Sequence, residues 1–208
     1  MPHQTFFNLP EDKQQRILDV CIKEFAEKTY HKASISNMVK ESKIAKGSFY
    51  QYFDDKKDIF KYILEYMGTK KLAYFADIIP NMHQMDFFEL LKEFYVAGVI
   101  FAKDHPDLTK IGNFILKTED EVLKSELMED NDNKSQDFMM MLIQGAMDRG
   151  ELRSDVDAHF MNHMIQSMSL SAIEYYYKSH NSLTDVDEDF VATTHSMVDC
   201  LMDGLKPR

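Results

Sequence analysis

Residues 34–57 hold two short apolar patterns on either side of a short break, and this stretch constrains the fold more than any other. The apolar residues at helical spacing are Ile35, Met38 and Val39, followed by Phe49 and Phe53. Between them, Ser42-Lys43-Ile44 is typical of a turn in which Ile44 points inward. Two short helices that share an apolar underside across so short a turn predict a helix-turn-helix.

The second of these helices has an outward face rich in hydrogen-bond donors. That face is predicted to carry Lys46, Ser48, Tyr50, Gln51 and Tyr52. Such side chains suit phosphate oxygens and base edges, and a glutamine can pair bidentately with adenine. No arginine lies between Arg16 and Arg149, so the common bidentate arginine–guanine contact is absent from this stretch. The pattern predicts DNA binding with a large share of A·T and shape recognition.

The charge distribution agrees with this prediction, although the net charge of −11 at first argues against a nucleic-acid partner. Residues 1–60 have a net charge of +1, and residues 61–208 have a net charge of −12. Residues 28–53 contain five lysines and only one acidic residue, Glu41. Positive charge is therefore concentrated where a phosphate backbone would lie, and the acidic remainder predicts a body that stays off the DNA.

The rest of the chain predicts an all-α architecture of about nine helices. Asn8 and Glu11 resemble a capping box for the first helix, Asp55 precedes a long helix, and Gly150 ends a later one. The last two helices are expected at about 158–177 and 188–205. Their apolar stripes predict a dimer face, with Met161, Met164, Ile165, Met168, Ser169 and Ala172 on the first and Val191, Thr194, Val198 and Leu201 on the second.

Several classes of protein are disfavoured by what the sequence lacks. It has no apolar run long enough to cross a membrane, no basic and apolar secretory start, and only two cysteines, which predicts a cytoplasmic protein. No nucleophile elbow, phosphate loop or zinc spacing is present, so we expect no enzyme activity and no cofactor. Asp155, His159 and His163 share a helical face, but a third good ligand is missing, and surface or interface histidines are the preferred interpretation over a metal site.

A specific signature then narrows the class. The segment Ala45-Lys46-Gly47-Ser48-Phe49-Tyr50-Gln51-Tyr52-Phe53-Asp54-Asp55-Lys56 resembles the end of the DNA-binding motif of TetR-family transcriptional regulators, which has the pattern K-G-T-L-Y-x-Y-F-x-x-K. The resemblance covers about residues 10–60. The chain departs from it at Lys43, where the family usually has glycine. A lysine with positive φ there would cost about 1 kcal/mol, so either the strain is tolerated or the turn differs.

The resemblance implies which residues contact DNA and what the remainder does. Ser34, Ser36, Lys46, Gly47, Ser48, Tyr50, Gln51, Tyr52 and Lys56 are the expected DNA contacts. Residues 1–55 would form the DNA-binding domain and residues 56–208 a helical domain for dimerisation and for a small apolar or amphipathic effector. Its candidate lining residues are Phe87, Phe94, Phe101, Phe114, Met140, Met141 and Tyr175, although ordinary helical core is the preferred interpretation for each residue taken singly.

The resemblance thus favours a ligand-responsive dimeric regulator of a palindromic double-stranded DNA operator. A repressor that its effector releases from the operator is preferred to an activator, and the choice between the two stays open. An alternative left open is a helical protein-interaction module whose helix-turn-helix no longer binds DNA. The acidic net charge and the departure at Lys43 favour that alternative.

Overall fold

The computed structural model describes residues 1–128, 132–180 and 188–206, and all secondary structure within them is helical. These residues contain eleven α-helices and one 3₁₀ helix, Ile79–Gln84. The α-helices are α1 (Gln4–Phe7), α2 (Glu11–Lys32), α3 (Ile35–Glu41), α4 (Lys46–Tyr52), α5 (Lys56–Tyr74), α6 (Phe87–Asp104), α7 (Pro106–Lys117), α8 (Glu121–Met128), α9 (Asp132–Asp148), α10 (Ala158–His180) and α11 (Glu188–Leu205).

The all-α class is confirmed, but the described residues hold twelve helices rather than about nine. Much of the difference lies in short elements, since α1 and the 3₁₀ helix are too short to show a helical repeat in sequence. The predicted capping box at Asn8 is wrong, because Asn8 ends α1 and α2 begins after Pro10 without a side-chain cap. Asp86 does form a capping box with Glu89 at the start of α6.

The chain divides into two compact units that are discontinuous in sequence. Unit 1 comprises Met1–Lys70 with Asp107–Asn131, and unit 2 comprises Lys71–Pro106 with Asp132–Arg208. Helices α7 and α8 therefore belong to unit 1. There, Lys57 Nζ lies 2.7 Å from Glu126 Oε2, and the rings of Phe60 and Phe114 are 6.5 Å apart. That residues 1–55 and residues 56–208 each form a separate domain stays a prediction.

The helix-turn-helix of unit 1 is built on aromatic side chains. Phe49 and Phe53 are fully buried beneath α4, as the spacing predicted, and Met38 of α3 is also buried. The two phenylalanine rings lie 5.3 Å apart. Burying a side chain of this size contributes about 1.5–3 kcal/mol, so this cluster is a principal source of stability for α4.

The turn between α3 and α4 is a Schellman motif in which lysine occupies the left-handed position. Lys43 has φ 55°, its N–H donates to Lys40 O over 3.2 Å, and the Ile44 N–H donates to Val39 O over 3.1 Å. The buried Ser42 anchors the turn, because its hydroxyl donates to Met38 O and its carbonyl accepts from Arg16 Nε. Lys43 therefore takes the left-handed conformation that favours glycine, and the chain tolerates the strain.

The end of α9 shows the same motif with the usual residue. Gly150 has φ 73° and donates to Met147 O over 3.0 Å, while Glu151 donates to Ala146 O over 2.9 Å. Glycine takes this conformation without steric cost, since it lacks a Cβ. The turn at Gly150 thus shows the same motif without the strain that Lys43 imposes on the helix-turn-helix.

We expect the substitution Lys43→Gly to stabilise unit 1, because it removes the left-handed strain of a side chain at φ 55°. The gain should be about 0.5–1 kcal/mol after the extra backbone entropy of glycine is subtracted. Urea unfolding of the variant measures it. Gly150→Lys is the matched control and should lower stability by a similar amount, and a Lys43→Gly variant less stable than wild type would contradict the expectation.

Unit 2 is a helical bundle around an apolar core from α6, α9, α10 and α11. Met161, Ile165 and Ala172 of α10 are buried in this core, as are Val198 and Leu201 of α11. These residues were expected to face a partner, and that expectation is wrong: the stripes cover the protein's own core. Within the described residues, no helix has both the length and the apolar character required to span a membrane.

Candidate nucleic-acid interface

Helix α4 presents an exposed polar face above its buried aromatic side. Lys46, Gly47, Tyr50 and Gln51 are exposed and Ser48 is half-buried, in agreement with the predicted outward face. Tyr52 is the exception, with 6% of its surface exposed and its ring packed beside Phe6 and Phe53. It lies three residues after Phe49 and therefore on the buried side of the helix. We correct its placement on the outward face for this reason.

Helix α3 is held in place by a buried carboxylate that the sequence analysis missed. Glu24 of α2 is 5% exposed, and its two oxygens accept from the Ser34 N–H over 3.0 Å and from Asn37 Nδ2 over 2.5 Å. Such charge-assisted bonds are about twice as strong as neutral ones. The sequence contains one sign of its burial, because Glu24 lies on the same face of α2 as the apolar Cys21 and Phe25. Glu24 sets where α3 begins and thus where Ser34 and Ser36 lie.

The other predicted DNA contacts lie at the start of α3 and at the start of α5. Ser34 and Ser36 are exposed at the start of α3, and Ser34 makes no side-chain cap. Lys56 is half-buried, donates to Ala33 O over 3.3 Å and lies 4.7 Å from the centroid of the Tyr30 ring. In this arrangement Lys56 joins the end of α2 to α5. A phosphate contact from Lys56 stays a prediction that would require these interactions to be exchanged.

The candidate effector-lining residues are not in one cluster. Phe114 lies in unit 1, whereas the others lie in unit 2. Phe87 and Phe101 are buried, Phe94 is half-buried 5.0 Å from the Phe75 ring, and Met140 is half-buried. Met141 and Tyr175 are 53% and 66% exposed, so they lie on the surface of the unit rather than in its core. A role of any of these residues in binding stays a prediction.

One side-chain nitrogen in unit 2 is buried without a hydrogen-bond partner in the described ranges. His195 Nε2 of α11 is buried and has no hydrogen-bond partner among the described residues. Buried polar atoms are nearly always paired, and an unpaired one calls for an explanation such as a missing water or ligand. In the part of the chain that the structure describes, no three His, Cys, Asp or Glu side chains come together in a way that could hold a metal ion.

A helix-turn-helix whose second helix exposes a lysine is the arrangement that DNA-binding domains use to enter the major groove. Residues 17–63 match the family described as bacterial regulatory proteins, tetR family. This match confirms that the signature at residues 34–56 is a TetR-type DNA-binding motif.

Similar proteins extend the likeness beyond this region. An uncharacterised helix-turn-helix-type transcriptional regulator of Bacillus subtilis, YvdT, is 39% identical over 109 residues, and the chain spans about half of its length, 52%. The fatty acid metabolism regulator protein of B. subtilis is 23% identical over 93% of this chain and 95% of its own length. The crystal structure of the B. subtilis regulator FadR with stearoyl-CoA superposes with a TM-score of 0.74 at 20% identity, covering 91% of this chain and 98% of that one, and so has the same fold.

Proposed function

We propose that this chain is a ligand-responsive, dimeric transcriptional repressor that leaves a palindromic operator when a small amphipathic effector binds. The observation that carries the proposal is the face of α4, where Lys46, Tyr50 and Gln51 are exposed above the buried Phe49 and Phe53. A protein-interaction module would have no need for such a donor face at the end of a TetR-type motif. The donor face and the motif together favour the DNA-binding function over that alternative.

Dimerisation through α10 and α11 is supported by a surface different from the one predicted. Helix α11 exposes small residues at every fourth position, and α10 exposes Phe160 together with polar and small residues on one side. The α11 positions are Ala192, Ser196, Cys200 and Gly204, and those of α10 are His163, Ser167 and Ser171. Ridges of residues four apart let two helices approach closely. Dimeric helix-turn-helix proteins bind half-sites about one DNA turn apart, which is why a dimer suits the proposed palindromic operator.

A charge placed on this surface should separate the subunits. We expect Ser196→Arg to give a monomer, because two arginines would be brought together near the two-fold axis and desolvated. Sedimentation velocity measures the mass of the particle. Glu93→Arg, at an exposed position of α6, is the matched control and should remain dimeric. A Ser196→Arg variant that is still dimeric would place the interface elsewhere.

Cysteine labelling gives a second check on the same two proteins. Burial, followed by the charge of Glu24, raises the pKa of Cys21 to about 12, so Cys21 is an unreactive thiol in the native protein. Cys200 is exposed in the single chain. We expect maleimide to modify only Cys200, slowly in the wild-type dimer and faster in Ser196→Arg. Equal rates in both would argue against an interface at Cys200.

An amphipathic effector with an acyl chain is supported by two observations. The fatty acid metabolism regulator of B. subtilis aligns over almost the whole chain, and the FadR structure with the same fold holds stearoyl-CoA. Unit 2 supplies an aromatic and methionine-rich core, and His195 Nε2 offers one buried polar atom without a protein partner. A long apolar tail with a polar group at one end suits this combination.

Fluorescence anisotropy tests the proposal with a duplex obtained by in vitro selection on the wild-type protein. We expect a salt-sensitive, sequence-specific complex that dissociates on addition of stearoyl-CoA and persists with free coenzyme A, which lacks the acyl chain. Failure to select any sequence would refute a DNA-binding function. A specific complex that stearoyl-CoA leaves intact would instead refute an acyl thioester as effector.

A further inference from the structure

The C-terminal end of α4 leaves backbone carbonyls that its own helix cannot satisfy. The last carbonyls of any α-helix lack intrahelical partners. In α4 the Phe53 N–H closes the last turn by donating to Phe49 O, and the carbonyls of Gln51 and Tyr52 remain beyond it. No glycine follows α4 to form the left-handed cap that ends α9. The carbonyls of Gln51 and Tyr52 are therefore open to donors from another part of the chain.

The segment before α1 and the first turn of α1 supply these donors. The His3 N–H donates to Tyr52 O over 2.8 Å, and the Thr5 hydroxyl donates to Gln51 O. His3 Nδ1 also lies 3.2 Å from Gln51 O. The end of the helix that carries the DNA-facing side chains is therefore capped by residues almost fifty positions earlier in the chain.

The ring of His3 has two acceptors, one at each nitrogen. Nδ1 faces the Gln51 carbonyl, and Nε2 faces the Asp54 carboxylate over 3.0 Å. A neutral imidazole has one N–H and can serve only one of them, whereas the imidazolium serves both. Three other charged groups lie in the same cluster. The Asp58 carboxylate accepts from the Met1 amino group and the Asp54 N–H, and Asp55 accepts from the Asp58 N–H.

We propose that His3 is a positioning residue for α4: as an imidazolium it clamps Gln51 and Asp54 and thereby makes operator affinity depend on pH. The proposal rests on the DNA-binding function proposed above. It assigns a role in recognition to a side chain outside the helix-turn-helix. Gln51 is the point of contact, since its carbonyl receives the clamp while its exposed side chain lies on the DNA-facing side of α4.

The main experiment compares wild type and His3→Ala on the selected duplex between pH 5.5 and 8. We expect His3→Ala to bind about three- to tenfold more weakly than wild type at pH 5.5, the effect of one or two lost hydrogen bonds, and the gap to shrink towards pH 8. His31→Ala is the matched control. His31 is a second histidine of unit 1, 4.0 Å from Asp120, and its loss should leave the pH difference intact.

Salt dependence separates positioning from direct contact. A positioning residue should change affinity without changing the slope of log affinity against log salt, whereas loss of a phosphate contact would lower that slope by about one unit for each protomer. A reduced slope for His3→Ala would overturn the positioning role. So would a pH profile identical to that of wild type.

Hydrogen exchange tests the clamp without any DNA. The amides at the end of α4 should exchange faster in His3→Ala than in wild type at pH 5.5. After correction for intrinsic exchange rates, this difference should be smaller at pH 8. Amides in the middle of α2 serve as the reference for global stability. No difference confined to α4 would refute the inference. If selection yields no duplex, the DNA-binding function fails, and this measurement still decides whether the clamp exists.

Discussion

The double variant Lys46→Ala/Tyr50→Ala should bind the selected duplex at least about a hundredfold more weakly than wild type, since each lost contact costs about 1–3 kcal/mol. Both side chains are exposed on α4, and only Tyr50 touches the aromatic cluster, with its ring 5.5 Å from that of Phe49, so their removal should leave the core of unit 1 in place. Lys46 occurs twice in a dimer, and its loss should lower the salt slope by about two units. Fluorescence anisotropy over a salt series measures both quantities.

Two controls make this result specific. Lys110→Ala removes an equivalent charge from unit 1 at a lysine of α7 that pairs with Asp107. Tyr52→Phe removes the hydroxyl of the tyrosine buried on the other side of α4. Both should bind like wild type. A double variant with wild-type affinity and slope would mean that α4 is not the helix that contacts DNA.

Phe6→Ala should destabilise unit 1 by about 3–5 kcal/mol, the usual cost of removing a buried phenylalanine ring. Phe6 is 1% exposed, and its ring lies 5.0 Å from the Phe53 ring and 5.7 Å from the Tyr62 ring. The substitution opens a cavity between α1, α4 and α5. Hydrogen exchange of the amides in α4 and α5 measures the loss within unit 1, independently of unit 2.

The neighbouring phenylalanine is the natural control for this substitution. Phe7 has the same chemistry and lies on the same short helix, but 41% of its surface is exposed. Phe7→Ala should therefore cost less than about 1 kcal/mol. An effect of Phe6→Ala as small as that expected for Phe7→Ala would show that α1 does not pack against α4 in solution.

Sequence patterns predicted the helix-turn-helix well, because its apolar spacing is local. Phe49 and Phe53 lie four residues apart and had to share a face, and Lys43 was recognised as a residue in a position that favours glycine. The same spacing argument, applied to Phe49 and Tyr52, would have placed Tyr52 on the buried side. The hydroxyl of Tyr52 suits a DNA contact, but its position on the helix decides which side it faces.

Features that depend on distant segments were not predictable in this way. His3 and Phe6 form no periodic pattern, and their partners at Gln51 and Phe53 are almost fifty residues away. Glu24 is a similar case, since its partners lie in α3. In α10, periodicity correctly identified an apolar face containing Met161 and Ile165, but periodicity carries no information on whether a helix of the same chain or of another chain covers it.

Gly47 shows how stability and recognition can be separated at one position. A Cβ added there would meet no atom of the protein within 4 Å, and the residue does not have positive φ. The fold thus places no demand for glycine at this site, and alanine would even favour the helix. Any demand for glycine must then come from a molecule outside the chain, which under the proposed function is the DNA beside the N-terminal turn of α4. Natural variation at this residue would accordingly report on operator fit alone.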